Sequence, residues 1–434
     1  MDSLITEERL RIYPIVFAVA TVLGVAITSL SRIADPTVQG AFLPDYLAHW
    51  TGGGLLFADP SNLYDPERQF AFEQRELGAV TALSWFVSPP IVAALYAPLG
   101  MLPYNLSGIL WLIVSASLLV CCTLSLKSLA PGLMLRKRTV VVIAVLASPP
   151  VFELLGGGQD SAFILAVWLA GIQLLNGQHN VWAGVVLALG IAKPQLVVLV
   201  PLVLLATRNF RALTSFVAVC GLLLGIQVGL IGVDGIFRWV SALSSPLYME
   251  EVQQGQSWKM VGLPSLIQGL IPEYLGGWVA STLMSISLPV GAGVLLFRLH
   301  RASKQLLDTN AVWIATLATT AIFSPHLATY DAVLFIPIIV FLLERRPSRR
   351  IRVSTVAAFG LLWAVPVLHV AAAPLSWPMG LIDAPWSAIP LTVIWLESLR
   401  TLQPHDPGKA TGTALVAEGI PASGPGQHSV SGNH

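Results

Sequence analysis

Asp45 is the first carboxylate after a long apolar run, and it stands between Pro44 and Tyr46. A carboxylate at a membrane surface can take a proton from a hydroxyl as a general base. The plainer use of the same residue is to cap a helix. His49 lies four residues on. A helix would set both side chains on one face, where the imidazole could hold a phosphate or tune the carboxylate. Gly52, Gly53 and Gly54 come next. Three glycines let a backbone approach a ligand closely or simply turn, and with no Gly-Lys-Ser/Thr behind them they are not a nucleotide phosphate loop. Asp59, Asp65 and Glu67 stand in ADPSNLYDPE, whose Asp-Pro steps make them turn formers before metal ligands. Arg68 and Arg75 are expected to bridge to Glu67, Glu73 or Glu76, with Arg68 also a candidate partner for an anion.

Three further polar turns interrupt apolar runs. The first, GGGQD, ends in Gln159 and Asp160, with Glu153 one to two turns earlier. Ionisable groups at membrane depth are functional candidates by default. The second holds Lys193, alone in LALGIAKPQLVVL and followed by Pro194. Such a lysine either binds an anion such as phosphate or snorkels to the interface. The third is SPHLATYD, where Pro325 breaks a helix and His326, Tyr330 and Asp331 follow within six residues. His326 could meet a phosphate or carry a proton; the alternative is a wet, capped helix end. Trp258, Lys259 and Met260 precede a short apolar run and could guard a cavity mouth. No HExxH, paired CxxC or GxSxG is present, so nothing supports zinc or serine-hydrolase chemistry. No metal or cofactor is expected.

The elements that must hold these turns are read from composition. The 434 residues are 55% hydrophobic and 11% charged, against about 25% charged in soluble domains. That makes an all-α polytopic membrane protein with the bilayer as its first partner. A net charge of +1 points to no nucleic-acid partner. The cysteines Cys121, Cys122 and Cys220 all lie in apolar runs and imply no disulfide framework. The first run, from Ile12 to Leu30, is too long for a cleaved signal and long enough to span. Several other runs are too short to cross about 30 Å alone, which suggests a cavity dipping in from one side.

Most Lys and Arg fall in four segments, at 127–138, 208–211, 298–304 and 345–352. The positive-inside rule puts these in the cytoplasm. That gives about twelve crossings, with 86–102 re-entrant and 261–272 a half-span. The loop 32–88 and the polar turns then share the outer face. Residues 1–400 are expected to form one domain, and 401–434, rich in Gly, Pro and Ser, a disordered cytoplasmic tail.

The ordered set PDYLAHWTGG, LYD, SPPIVAALYAPLGMLP, SPPVFELLGGGQDS, AGVVLALGIAKPQLVVLVPLVLL and SPHLATYD resembles glycosyltransferase family 87 over roughly residues 10–345. These are polyprenyl-phosphate-mannose-dependent mannosyltransferases of the GT-C superfamily. The resemblance implies a GT-C-like bundle and an inverting transfer of a hexose, mannose in the family, from a lipid-phosphate donor outside the cytoplasmic membrane. The acceptor is a glycan or glycolipid. The family's essential first-loop aspartate matches Asp45. Where its later turn carries Asn after Gln, this chain has Asp160 and Ser161. On the charge argument, the substrate-binding set is His49, Arg68, Gln159, Asp160, Lys193, Lys259, His326 and Asp331. A lipid-linked polysaccharide ligase or polymerase, a lipid or solute transporter, and a non-catalytic assembly protein are the rival readings.

Overall fold

The computed structural model describes residues 7–34, 42–78, 82–250, 256–271, 277–302, 307–372, 375 and 379–403. The expectation for the tail therefore lies outside the described residues from 404 onward. Among the described residues the secondary structure is helical, apart from one isolated antiparallel bridge between Met260 and Ala328. The helices belong to one unit that ends at Leu402.

In chain order these are α1 (Glu7–Ala34), α2 (Pro44–Ala58), α3 (Pro66–Leu77), α4 (Pro90–Gly100), α5 (Tyr104–Ser125), α6 (Pro131–Leu146), α7 (Pro149–Gly157), α8 (Ser161–Asn176) and α9 (Asn180–Ala188). They continue with α10 (Val200–Ala206), α11 (Phe210–Leu243), α12 (Leu263–Leu270), α13 (Gly277–Ala302), α14 (Thr309–Phe323), α15 (Phe335–Arg345), α16 (Arg349–Ala372) and α17 (Ala388–Arg400).

Five helical stretches are long and apolar enough to cross a membrane: Ile12–Ala34, Tyr104–Ser128, Phe210–Leu243, Thr282–Ala302 and Arg349–Ala372. A sixth arises if α6 and α7, bent by 54°, count as one broken span. The bend has a sequence cause, since Pro149 and Pro150 cannot continue the α6 hydrogen bonds. The expected twelve crossings are thus not matched by twelve long helices. The 13 residues of α17 reach about 20 Å at 1.5 Å per residue, short of a bilayer core of about 30 Å.

Burial separates two kinds of helix. Only 11% of the spanning window of α1 and 17% of those of α11 and α16 are buried, and their exposed residues include Val22, Leu222 and Val367. Apolar side chains in that position face lipid. In contrast, α14 buries every residue from Ala311 to Phe323. Thr316, Thr319 and Thr320 stay satisfied there by donating to backbone carbonyls four residues back. Helix α14 thus lies in the protein-filled interior, whereas α1, α11 and α16 leave most of their apolar length uncovered.

The stretch expected as an outer loop, 32–88, is largely helical where described. Helix α2 buries ten of its residues, from Tyr46 to Leu55. The three glycines lie inside it rather than in a turn. A Cβ at Gly53 would come 2.5 Å from the Tyr96 carbonyl oxygen of α4, and one at Gly100 would strike the Gly54 backbone. Small residues let two helix backbones close to contact, which overrides the low helix propensity of glycine. Helix α3 starts where Asp65 accepts from the N–H groups of Glu67 and Arg68, as its turn-forming sequence predicts. Asp59 likewise accepts from Ser61 and Asn62.

Candidate active site

Three of the polar turns meet at one buried cluster. The turn between α7 and α8 delivers Asp160 and Ser161, the short 3-10 turns after α9 deliver Lys193, and the turn after α14 delivers Asp331. Lys193 Nζ lies 2.8 Å from Asp160 Oδ1 and 2.8 Å from Asp331 Oδ1. Its approach to Asp160 Oδ1 is an ion pair without an aligned hydrogen bond. Ser161 Oγ donates to Asp331 Oδ1 at 2.5 Å and accepts from Lys193 at 3.2 Å. His49 Nε2 stands 3.6 Å from Asp160 Oδ2, which ties α2 to the cluster.

Asp160 and Asp331 are 4% and 1% exposed, so these charges survive only as partners. Burial opposes the charged form of Asp160, but the Lys193 ammonium and then the His49 ring hold its carboxyl well below the usual carboxylate range. Burial also opposes the Lys193 charge, yet Asp160 and Asp331 hold the ammonium above its ordinary range. Burial pushes the His326 ring below its ordinary value, with Asp331 opposing and Lys193 adding to the effect.

Asp45 sits in the first turn of α2, where helix N–H dipoles favour an anion. Its setting is built by aromatic side chains and glycines. Leu43, with φ of 54°, turns the chain into α2 and is held by Tyr104 Oη donating to its carbonyl at 2.9 Å. Tyr46 stacks on Trp111 at 6.0 Å, and Trp111 donates to the Gly158 carbonyl at 2.8 Å. Gly158 has φ of +78°, and a Cβ there would strike Tyr46 and Leu43. A Cβ on Gly157 would lie 2.5 Å from Asp45 Oδ2. The glycines of GGGQD therefore make room for the Asp45 carboxylate against the end of α7. Asp45 is half-buried, and among the described residues no side chain hydrogen-bonds or ion-pairs to its carboxylate.

Glu153 precedes Gly157 by one helical turn and so lies on the same face of α7 as the Asp45 contact. Its carboxylate stands in the fields of both Lys259 and Asp45. Lys259 is half-buried, with Nζ 5.3 Å from the Trp258 ring centre. Trp258 in turn stacks on His369 at 4.4 Å, and His369 pairs with Asp383 at 2.8 Å. The segment carrying Lys259 is pinned to the turn after α14 by Val261 N–H donating to Leu327 and Thr329 Oγ1 donating to the Lys259 carbonyl. The charges of Asp331, Asp45 and Asp160 all reach Tyr330, whose ring centre lies 5.0 Å from Lys193 Nζ.

The structure thus brings together His49, Asp160, Lys193 and Asp331, and sets His326 within reach of the Asp331 and Lys193 charges. Gln159 is buried in the same turn as Asp160. Arg68 is different: it is exposed on α3, where its charge acts on Asp59. Arg75 bridges to Glu76 at 2.8 Å. Glu73 is taken instead by Thr51 and Ser84. Sequence reasoning underweighted Glu153 and missed Ser161, whose i+1 position after Asp160 was the only local signal. Among the described residues no group of three or more His, Cys, Asp or Glu side chains converges as a metal site requires.

Comparison with known proteins adds one finding. No curated protein and no solved structure matches the chain. A family model, described as glycosyltransferase family 87, matches residues 86–325, more than half of the chain. The match includes the GGGQD turn, Lys193 and Lys259, and stops short of Asp45, His326 and Asp331, whose placement rests on geometry. With that match and its apolar helices, the chain belongs to glycosyltransferase family 87 and is a membrane glycosyltransferase.

Proposed function

We propose that the protein transfers a hexose, mannose by the family resemblance, from a polyprenyl-phosphate carrier to a glycan or glycolipid hydroxyl at the outer face of the cytoplasmic membrane. The observation that carries this reading is the Asp45 carboxylate. It is half-buried, held against Gly157 and without a side-chain partner among the described residues, so it is open to a substrate hydroxyl.

In the proposed step Asp45 takes the proton of the acceptor hydroxyl. The freed oxygen attacks the anomeric carbon from the face opposite the phosphate. The bond between the anomeric carbon and the phosphate oxygen breaks, and the lipid phosphate leaves with that electron pair. Inversion follows from the in-line geometry. Negative charge growing on the phosphate needs fixed positive partners, and stabilising charge where it develops is usually the largest catalytic contribution. Lys259 and His326 are assigned that role. Lys193 already has two carboxylate partners, so it serves mainly as the post that ties the three turns together.

The Lys and Arg distribution supports the outward orientation and about twelve crossings, with short helices lining the cavity. Reporter fusions at 130–137 and 346–350 should then read cytoplasmic and one at 60–66 external; an external signal at 136–138 contradicts the orientation. Transfer itself is tested with purified protein given mannosyl polyprenyl phosphate or a nucleotide-linked mannose. Product from the lipid donor alone is the expected result. Product from the nucleotide sugar alone would overturn the donor assignment, and lipid-linked oligosaccharide transferred as a block would favour a ligase.

A further inference from the structure

Between the start of α16 and the end of α17 lies an open cleft of about 730 Å³ that the transfer reaction does not use. Its rim carries Arg349, Arg350 and Arg400, and its wall carries Val353, Val393 and Leu396. Glu397, the one carboxylate lining it, pairs with Arg400. Arg349 and Arg350 are exposed, and so is Leu396, at 43%. The cleft is therefore cationic at one edge and apolar along its side.

Its depth in the bilayer follows from α16. That helix is long and apolar enough to span, which sets its arginine end at a membrane–water interface. The Trp258–His369 stack lies near its other end, twenty residues or about 30 Å from Arg349, roughly one bilayer core away. The cleft is thus a separate place from the end of α16 beside which Trp258 and Lys259 lie. Guanidinium groups bind phosphate oxygens in a two-pronged fashion. Basic pockets beside a spanning helix at an interface fit lipid headgroups. The volume falls in the range of about 300–1,000 Å³ usual for ligand sites.

We propose that this cleft binds an anionic phospholipid, its phosphate held by Arg349, Arg350 and Arg400 and its acyl chains lying along Val353, Val393 and Leu396. Arginines that only anchor the helix would need neither the groove nor its apolar wall.

The test is thermal melting of the purified full chain in a zwitterionic detergent. Phosphatidylglycerol, phosphatidylcholine of the same chain length and inorganic phosphate are added separately. Phosphatidylglycerol should raise the melting temperature by about 2 °C or more, since a ligand that binds only the folded state stabilises it. The other two probes should not. Arg350→Gln with Arg400→Gln should abolish the shift, and Arg211→Gln, on another basic segment, should keep it. Should the double variant not fold, the single change Arg349→Gln, at an exposed position, should reduce the shift at least by half. An equal rise with inorganic phosphate, an equal rise with phosphatidylcholine, or a full rise in the cleft variants overturns the proposal.

Discussion

Two groups of carboxylates lie close together in this protein and are built on opposite principles. Asp160 and Asp331 are nearly inaccessible, and both are paired with Lys193, with Ser161 donating to Asp331 and the His49 ring 3.6 Å from Asp160. Asp45 is half-buried, rests against a glycine, and interacts only at a distance with groups such as Glu153 and Tyr330. The difference separates two jobs. A fully partnered buried cluster holds turns in place because breaking it strands a charge. A carboxylate that must receive a proton needs its place beside the oxygen open for substrate. In this chain the more conspicuous charges are the frame, and the less conspicuous one is assigned the chemistry.

That comparison breaks most sharply at Lys193. Lys193→Met leaves two buried carboxylates without their cation, a loss of about 3–5 kcal/mol for a broken buried pair. Thermal melting should therefore show a large drop, with donor and acceptor use falling together. A variant that melts like the wild type and loses donor affinity alone would make Lys193 a phosphate ligand after all. The pairing also predicts a flat pH response. Asp160 lies below its unfolded value, so its contribution is present above about pH 4 and lost only as pH falls further. Lys193 lies above its unfolded value, so its contribution holds to about pH 10 and is lost only beyond.

Gly157→Ala tests the other side. The added methyl would displace Asp45 Oδ2, and misplacement on the order of 1 Å lowers rates by about a hundredfold. A kcat loss of that size with a nearly unchanged melting temperature is expected. Full activity would show that Asp45 does not need its position against α7.

A smaller effect belongs to Glu73, a buried carboxylate with no cation. Burial pushes its carboxyl up, against the hydrogen bonds from Ser84 and Thr51. The folded state then holds the proton more tightly than the unfolded chain. Stability is full below about pH 4.3 and is lost as pH rises through the higher folded value. Glu73→Gln cannot ionise, so its melting temperature should gain on the wild type by about 1–3 °C between pH 5 and pH 8. No change in that gap would mean that Glu73 is ionised throughout.

Much of this arrangement was legible in the sequence, and the remainder was hidden for identifiable reasons. Apolar runs gave the helices, and their junctions, two of them marked by Pro194 and Pro325, gave the breaks between them. Lone polar residues at those breaks gave Asp160, Lys193 and Asp331. Their mutual pairing was not visible, because Lys193 and Asp331 are 138 positions apart and nothing local specifies the contact. The three glycines of α2 read as a turn because local propensity is blind to the α4 backbone that demands them. The polar stretch 32–88 read as a loop because α3 has an exposed charged face and α2 is too short to span. Span counting gave about twelve crossings because it counted apolar runs of 11–16 residues, and a run that short does not by itself tell a crossing from a helix packed inside the protein.

The measurement that bears most directly on the account is turnover of Asp45→Asn beside Asp160→Asn, with Asp59→Asn and Asp65→Asn as controls. Asparagine keeps the size of the side chain but cannot take the acceptor proton. Asp45→Asn should melt as the wild type does and lose about a hundredfold or more in kcat, with donor binding retained. Asp160→Asn should lose stability along with activity, and the two turn aspartates should keep most of theirs. A nearly fully active Asp45→Asn in a working transfer assay would contradict the account, and with a stable but inactive Asp160→Asn it would move the base to the cluster that we read as the frame.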